Sequence, residues 1–193
     1  MSQKLKVLIL FFLIFLGCSP KEESSDGIER KDIILLTESQ ISNFIKVLPA
    51  LLEYSELYHS RLSEEEKNRV DANKRYFRSI LKNPDMKMVA ISNNFASIEE
   101  MVRVYKNVAL EYSTIKTDLT NFNKDVENLK NTIDSYRSNY IAGLKDENLS
   151  GVDKKTLEDK LKELEKDEIR YKNILLIKKY ESVIDKVYVE YYR

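Results

Sequence analysis

One stripe of side chains constrains this chain more than any other feature in it. Apolar or aromatic residues recur at Ile98, Met101, Tyr105, Val108, Tyr112, Ile115, Leu119, Phe122, Val126, Leu129, Ile133, Tyr136 and Tyr140, in steps of three and four. A strand would need a period of two; steps of three and four keep one face of a helix turned toward a partner, as in the a and d positions of a coiled coil. No Gly or Pro falls inside the stripe before Gly143. The spacing therefore predicts one helix over 98–143, about 69 Å long at 1.5 Å per residue.

Such a seam needs a partner. Residues 145–153 contain Asn148, Ser150 and Gly151, side chains that favour a turn, and a second helical pattern follows over 154–191. A short connection between two long helices makes them antiparallel neighbours. The second helix is uneven. Its first half carries only Leu157, Leu161 and Leu164, whereas its second half is dense in Ile, Leu, Val and Tyr. A helix that is apolar on several sides must be covered on several sides. The available cover is the N-terminal set of helices within 38–82. The expected fold is all-α: a helical bundle whose base resembles a four-helix bundle, with a long, charged, antiparallel coiled-coil-like hairpin projecting from it. Scarcity of Gly (four) and Pro (three) agrees with few turns and long elements.

The N-terminal helices are marked by their starts. Thr37–Gln40, Ser63–Glu66 and Ser97–Glu100 each have the capping-box spacing of a hydroxyl followed three residues later by Gln or Glu. The first helix places Ile41, Phe44, Ile45, Leu48, Leu51, Leu52, Ser55 and Tyr58 on one face and is expected to kink or break near Pro49. The second is expected to run from Ser63 through Val70, Ala72, Tyr76, Phe77, Ile80 and Leu81 to Asn83-Pro84. A short helical piece over 85–91 follows, and Ile33–Leu36 is expected to pack onto the bundle.

Ahead of all this lie Lys4 and Lys6, an unbroken apolar run from Val7 to Leu16, and Gly17-Cys18. A positive segment, a ten-residue apolar core and a small residue make the layout of an export signal. Ten residues cover about 15 Å as a helix, half of a bilayer's hydrocarbon thickness. The chain's one cysteine cannot form an internal disulfide, and its position gives it another use. Phe15-Leu16-Gly17-Cys18 resembles the bacterial lipobox, in the relaxed form seen in spirochaetes, with Phe15 where Leu is usual and Leu16 where a small residue is usual. The resemblance implies cleavage between Gly17 and Cys18, a lipid carried on Cys18 with fatty acids such as palmitate, and attachment to a membrane of the cell envelope. Ser19 after the lipid site fits an outer membrane rather than an inner one, with the body facing the periplasm or the cell surface. The domain layout is then a lipoprotein signal peptide at 1–17, a lipidated Cys with a disordered tether at 18–32, and a helical domain at 33–193.

Composition narrows the chemistry. Formal net charge is zero, and loss of Lys4 and Lys6 with the signal leaves 30 basic against 32 acidic side chains, no global field for nucleic acid. Glu56 and His59 have the Glu-x-x-His spacing of carboxylate-bridged metal bundles, but the chain has one His and cannot supply the second copy. No Gly-rich phosphate loop or nucleophile–base set stands out, so no catalytic residue, metal or cofactor is expected. The C-terminal tyrosines Tyr171, Tyr180, Tyr188, Tyr191 and Tyr192 form the candidate interaction surface, since Tyr is enriched at interfaces. The expected function is binding or scaffolding by a lipid-anchored, non-enzymatic envelope protein. Its partners would be the membrane and a protein of the envelope or the exterior. The alternative is a carrier for a small apolar ligand, held among the methionines and tyrosines of the base. Phe95–Tyr105 and Thr37–Leu52 resemble segments of uncharacterised helical envelope proteins, a likeness that implies no residue roles.

Overall fold

The computed structural model describes residues 30–193, and among them every regular element is helical. A 3₁₀ turn at Arg30–Asp32 leads through an irregular stretch into α1 (Glu38–Ser60). Then come α2 (Glu64–Lys67), α3 (Ala72–Leu81), α4 (Pro84–Ser92), α5 (Ile98–Thr117), α6 (Phe122–Leu144) and α7 (Gly151–Tyr191). The all-α bundle expected from the periodicity is the fold.

The caps form largely as their side chains dictate. Thr37 Oγ1 accepts from the Gln40 N–H at 3.2 Å, and Gln40 Oε1 accepts from the Thr37 N–H at 3.1 Å. Ser63 and Glu66 make the same reciprocal pair at α2. At α5 only half a box exists: Ser97 Oγ accepts from the Glu100 N–H at 3.2 Å. The Glu100 carboxylate instead takes the Ala96 N–H at 2.7 Å and the Gln40 amide at 3.1 Å, which ties the starts of α1 and α5 together. Asn83 caps α4, with Pro84 in the first position, where its missing donor costs nothing.

Five expectations need correction. The helix begun at Ser63 stops after Lys67, because the Asn68 side chain takes the Glu64 carbonyl at 2.8 Å. The chain re-enters a helix at Ala72 and leaves Val70 83% exposed instead of packed. Helix α1 does not break at Pro49, which lies on the exposed side, where water can serve the carbonyl left without a donor. The last helix begins at Gly151, not 154, under a Ser150 cap. At the end of the expected tether 18–32, Arg30–Asp32 form a 3₁₀ turn bonded to the body, and residues 18–29 lie outside the described residues. Finally, the stripe over 98–143 is two helices.

That last break has a local cause and a global use. The N–H groups of Asp118 and Leu119 both turn to the Thr114 carbonyl, at 3.0 and 3.2 Å. Thr117 Oγ1 bonds the Ser113 carbonyl and Asp118, and Asp125 accepts the Asn121 N–H at 2.8 Å. Short polar side chains thus take over backbone groups that a helix would use. On α5, Glu111 reaches Arg170 while its neighbour Tyr112 reaches Asp185. Those partners lie about 22 Å apart along α7 at 1.5 Å per residue. Adjacent residues can serve such separated points only if α5 crosses α7 rather than running along it. After the break, α6 does run antiparallel along α7: Lys178 sits 4.7 Å from the Phe122 ring, Lys160 5.8 Å from the Tyr140 ring, and Gly143 lies against Leu157.

One continuous core joins α1, α3, α4, α5, the second half of α7 and the start of α6. Ile41, Val47, Ile80, Met101, Val104 and Ile177 are fully shielded. Along the rest of the hairpin the seam is thin, with Ile133 and Leu164 its buried apolar residues.

Candidate functional site

The most organised polar chemistry among the described residues surrounds the strap that enters α1. Residues 33–36 adopt no regular secondary structure and lie against α5 and α7, with Ile33 and Leu36 buried. Irregular backbone inside a protein must find partners for its N–H and C=O groups. Here there is no neighbouring strand, and two side-chain amides take that place. Asn173 Oδ1 accepts the Leu36 N–H at 2.9 Å, and its Nδ2 donates to the Ile34 carbonyl at 2.8 Å. From the other side Asn107 Oδ1 accepts the Ile34 N–H at 3.1 Å, and its Nδ2 donates to the Asp32 carbonyl at 3.0 Å. Both asparagines are fully buried. Each uses a donor and an acceptor together, as a strand edge would.

Charges secure the strap's outer end. Lys166 donates to the Ile33 carbonyl at 3.1 Å, Lys106 pairs with Asp32 at 3.3 Å, and Arg30 pairs with Asp167 at 3.1 Å. One turn beyond Asn107, Glu111 is wholly buried and held by Arg170 through two bonds, 2.8 Å from Nε and 3.1 Å from a terminal nitrogen. Burial pushes the Glu111 carboxyl up, and Arg170 pulls against that shift. Asn107, Glu111, Arg170 and Asn173 form one polar seam between α5 and α7.

The sequence reading missed all four residues. A signal for them existed. Asn107 and Glu111 are four apart and flank Val108, and Arg170 and Asn173 are three apart beside Ile174. Polar residues repeat at helical spacing inside a broad apolar zone on both helices.

The expected tyrosine surface is not a single face. Tyr171, Tyr180, Tyr188, Tyr191 and Tyr192 are all half-buried, and the first four pack against the core. Tyr171 and Tyr180 are nine residues apart, half a turn out of phase on a 3.6-residue helix. Tyr188 stacks on Tyr112 with ring centres 5.8 Å apart, and Tyr112 donates a short bond to Asp185. Tyr191 donates to Glu56 at 3.1 Å and meets Tyr192 edge-on. Its hydroxyl is pushed up to about 12, by burial first and by Glu56 next.

Glu56 therefore faces Tyr191 rather than waiting beside His59. His59 stacks on Tyr76 with centres 5.8 Å apart, and burial, then Lys67, lowers its pKa. Among the described residues no group of three or more His, Cys, Asp or Glu is gathered to hold a metal ion. Of the methionines weighed for a ligand pocket, Met86 and Met101 are core residues and Met88 is 64% exposed. Gly17 and Cys18 lie outside the described residues.

No family model, no curated protein and no solved structure matches this chain.

Proposed function

We propose that this chain is a lipid-anchored, non-enzymatic helical protein of the bacterial cell envelope that acts by binding or scaffolding. The observation that carries the reading is the N-terminal order of Lys4 and Lys6, the apolar run Val7–Leu16, and Gly17-Cys18. A lipid on Cys18 supplies a membrane attachment, and among the described residues no helix is long and apolar enough to cross a bilayer. Two or three acyl chains hold firmly where one holds marginally.

The strap supports the same reading. A lipid tether transmits pull to whatever it joins. Here the chain that would lead from the lipid is gripped by Asn107, Asn173, Lys106 and Lys166 before it enters α1. The anchor load then falls on α5 and α7, the two helices that hold the bundle together.

Metabolic labelling with a palmitate analogue tests the proposal, comparing wild type with Cys18→Ala, with detergent partition and surface proteolysis of intact cells. Label in wild type, its loss in the variant, and partition into detergent are the expected result. Absence of label in wild type would overturn it. Cleavage from outside or full protection then assigns the body to the cell surface or to the periplasm.

A further inference from the structure

The segment 67–91 carries seven Lys and Arg against two Asp, in a chain whose formal net charge is zero. Part of that charge is already used: Lys67 pairs with Glu64, Arg69 with Asp71, and Arg75 with Glu66. Arg78, Lys82 and Lys87 lie along α3, its C-cap and α4. On α3, Arg78 and Leu81 are exposed, as is Lys82 at its C-cap, four residues after Arg78, while Tyr76, Phe77 and Ile80 are buried. On α4, Lys87, Met88 and Ile91 are exposed, while Met86 and Ala90 are buried. Only Lys82 and Asn83 separate the two helices, and both pack on α5, so their outer faces turn away from the same core. Met88 is 64% exposed and Ile91 58%. Asp85 in the first turn of α4, and Glu99 within electrostatic reach of Lys87, temper the charge without balancing it.

We infer that this outer face of α3 and α4, with Arg78, Lys82 and Lys87 beside Leu81, Met88 and Ile91, docks on the surface of an anionic phospholipid bilayer. Long cationic side chains reach phosphate while neighbouring apolar tips enter the headgroup boundary, the arrangement of interfacial helices. The inference rests on the proposed lipid anchor for its geometry. Eleven residues separate Cys18 from Arg30, so the lipid keeps the strap's root within about 40 Å of the bilayer. That root lies beside α3: the Lys106 ammonium is 3.3 Å from Asp32 of the strap and 5.1 Å from the Phe77 ring. The face that can meet the membrane is thus close to the point where the membrane is tied.

Vesicle co-sedimentation separates this inference from the anchor itself. The probe is the chain from residue 18 with Cys18→Ser, which retains every described residue and carries no lipid. Vesicles of phosphatidylglycerol are compared with vesicles of phosphatidylcholine. The expected result is binding to the anionic vesicles alone. A Lys or Arg near such a surface is worth about fivefold in affinity, so R78E/K82E/K87E lowers binding by about a hundredfold or more. Met88→Ser with Ile91→Ser lowers it about tenfold, with an unchanged helical spectrum in both variants. Equal binding to both vesicles, binding to neither, or an unaffected charge-reversed variant overturns the inference. Binding to a soluble acidic polypeptide without binding to vesicles overturns it as well and gives the face a protein partner. Failure of palmitate labelling would remove the anchor and leave the vesicle result standing.

Discussion

Along α7 a single helix meets two environments. From Gly151 to Lys166 its one helical neighbour is α6, the strap touches it only at Glu163 and Lys166, and Leu164 is its only buried residue in that stretch. From Asp167 onward it meets α1, α5 and the strap, and Asn173, Ile174, Ile177 and Ile184 are buried. The backbone geometry is the same in both halves. What differs is how many sides are covered, and so how much apolar area leaves water and how many polar groups must be satisfied without it. The hairpin can carry charge on almost every turn, because its ion pairs stay wet and weak. The base cannot, and its one wholly buried carboxylate, Glu111, is met by a two-pronged arginine.

The largest difference should appear when those two kinds of ion pair are broken. Arg170→Ala leaves Glu111 buried without its partner, and breaking a buried pair from one side costs about 3–5 kcal/mol. Arg137 of α6 pairs with Glu168, where the hairpin meets the base and the arginine side chain is 41% exposed. Arg137→Ala is expected to cost less than about 1 kcal/mol. Urea denaturation followed by circular dichroism measures both. Similar losses would dissolve the distinction between base and hairpin.

Truncation of the same residue type in both regions sharpens the comparison. Ile177 is fully buried in the base, and Ile133 is 5% exposed in a seam lined by one helix on each side. Isoleucine-to-alanine changes range over about 2–5 kcal/mol, depending on how far the surroundings can close the gap. Ile177→Ala belongs near the top of that range, at about 4 kcal/mol, and Ile133→Ala near the bottom, at about 2. Hydrogen exchange adds a spatial readout: the second variant should loosen α6 and the first half of α7 and spare α1 and α5.

Asn173→Ala tests the strap that joins base to tether. It strands the buried Leu36 N–H and the Ile34 carbonyl. The expected cost is about 2 kcal/mol, with faster exchange at the Leu36 amide. An unprotected Leu36 amide in the wild type would remove the clamp altogether.

These residues also show why the sequence was legible in part. The stripe from Ile98 to Tyr140 identified one arm of the hairpin, and the second pattern over 154–191 the other, because such spacing depends only on which face is apolar. It hid the break at Asp118–Asn121 because the four intervening residues are close to one helical turn, so the stripe stays in phase across the gap. The cause of the break lies in Thr117, Asp118, Asn121 and Asp125, whose short side chains compete locally with the backbone and leave periodicity untouched. The clamp was invisible for a different reason. Asn107 and Asn173 are 66 residues apart, and only the crossing of α5 over α7 brings them to the same strap. Val70 was misplaced because an apolar residue at helical spacing is buried only if the helix continues past it, and Asn68 ends that helix.

A smaller effect comes from acid. The His59 pKa is lowered in the fold, by burial first and Lys67 second. The folded state therefore binds a proton less readily than the unfolded chain, whose histidine titrates near 6.5. The stability contributed by neutral His59 is complete above that value and is lost as pH falls through 6.5 toward the lower folded pKa. Thermal melts of wild type should decline in that window, and His59→Gln should flatten the decline. This dependence belongs to the base, where the ring stacks on Tyr76; the hairpin contains no histidine.

The smallest expected effect is at the hairpin's tip. Gly143 lies inside α6, where alanine would favour the helix by about 1 kcal/mol. A Cβ there would stand 2.8 Å from Leu157 Cδ1, too close for both to stay in place. The atom in the way is the end of a flexible side chain, and the tip is open to solvent around it. Leu157 can rotate aside at a cost comparable to the propensity gained. Gly143→Ala is therefore expected to shift stability by less than about 0.5 kcal/mol in either direction. A loss of several times that size would mean that Leu157 cannot move, and that the tip is packed as tightly as the base. Measured beside Ile177→Ala, this substitution sets the scale on which the two halves of α7 differ.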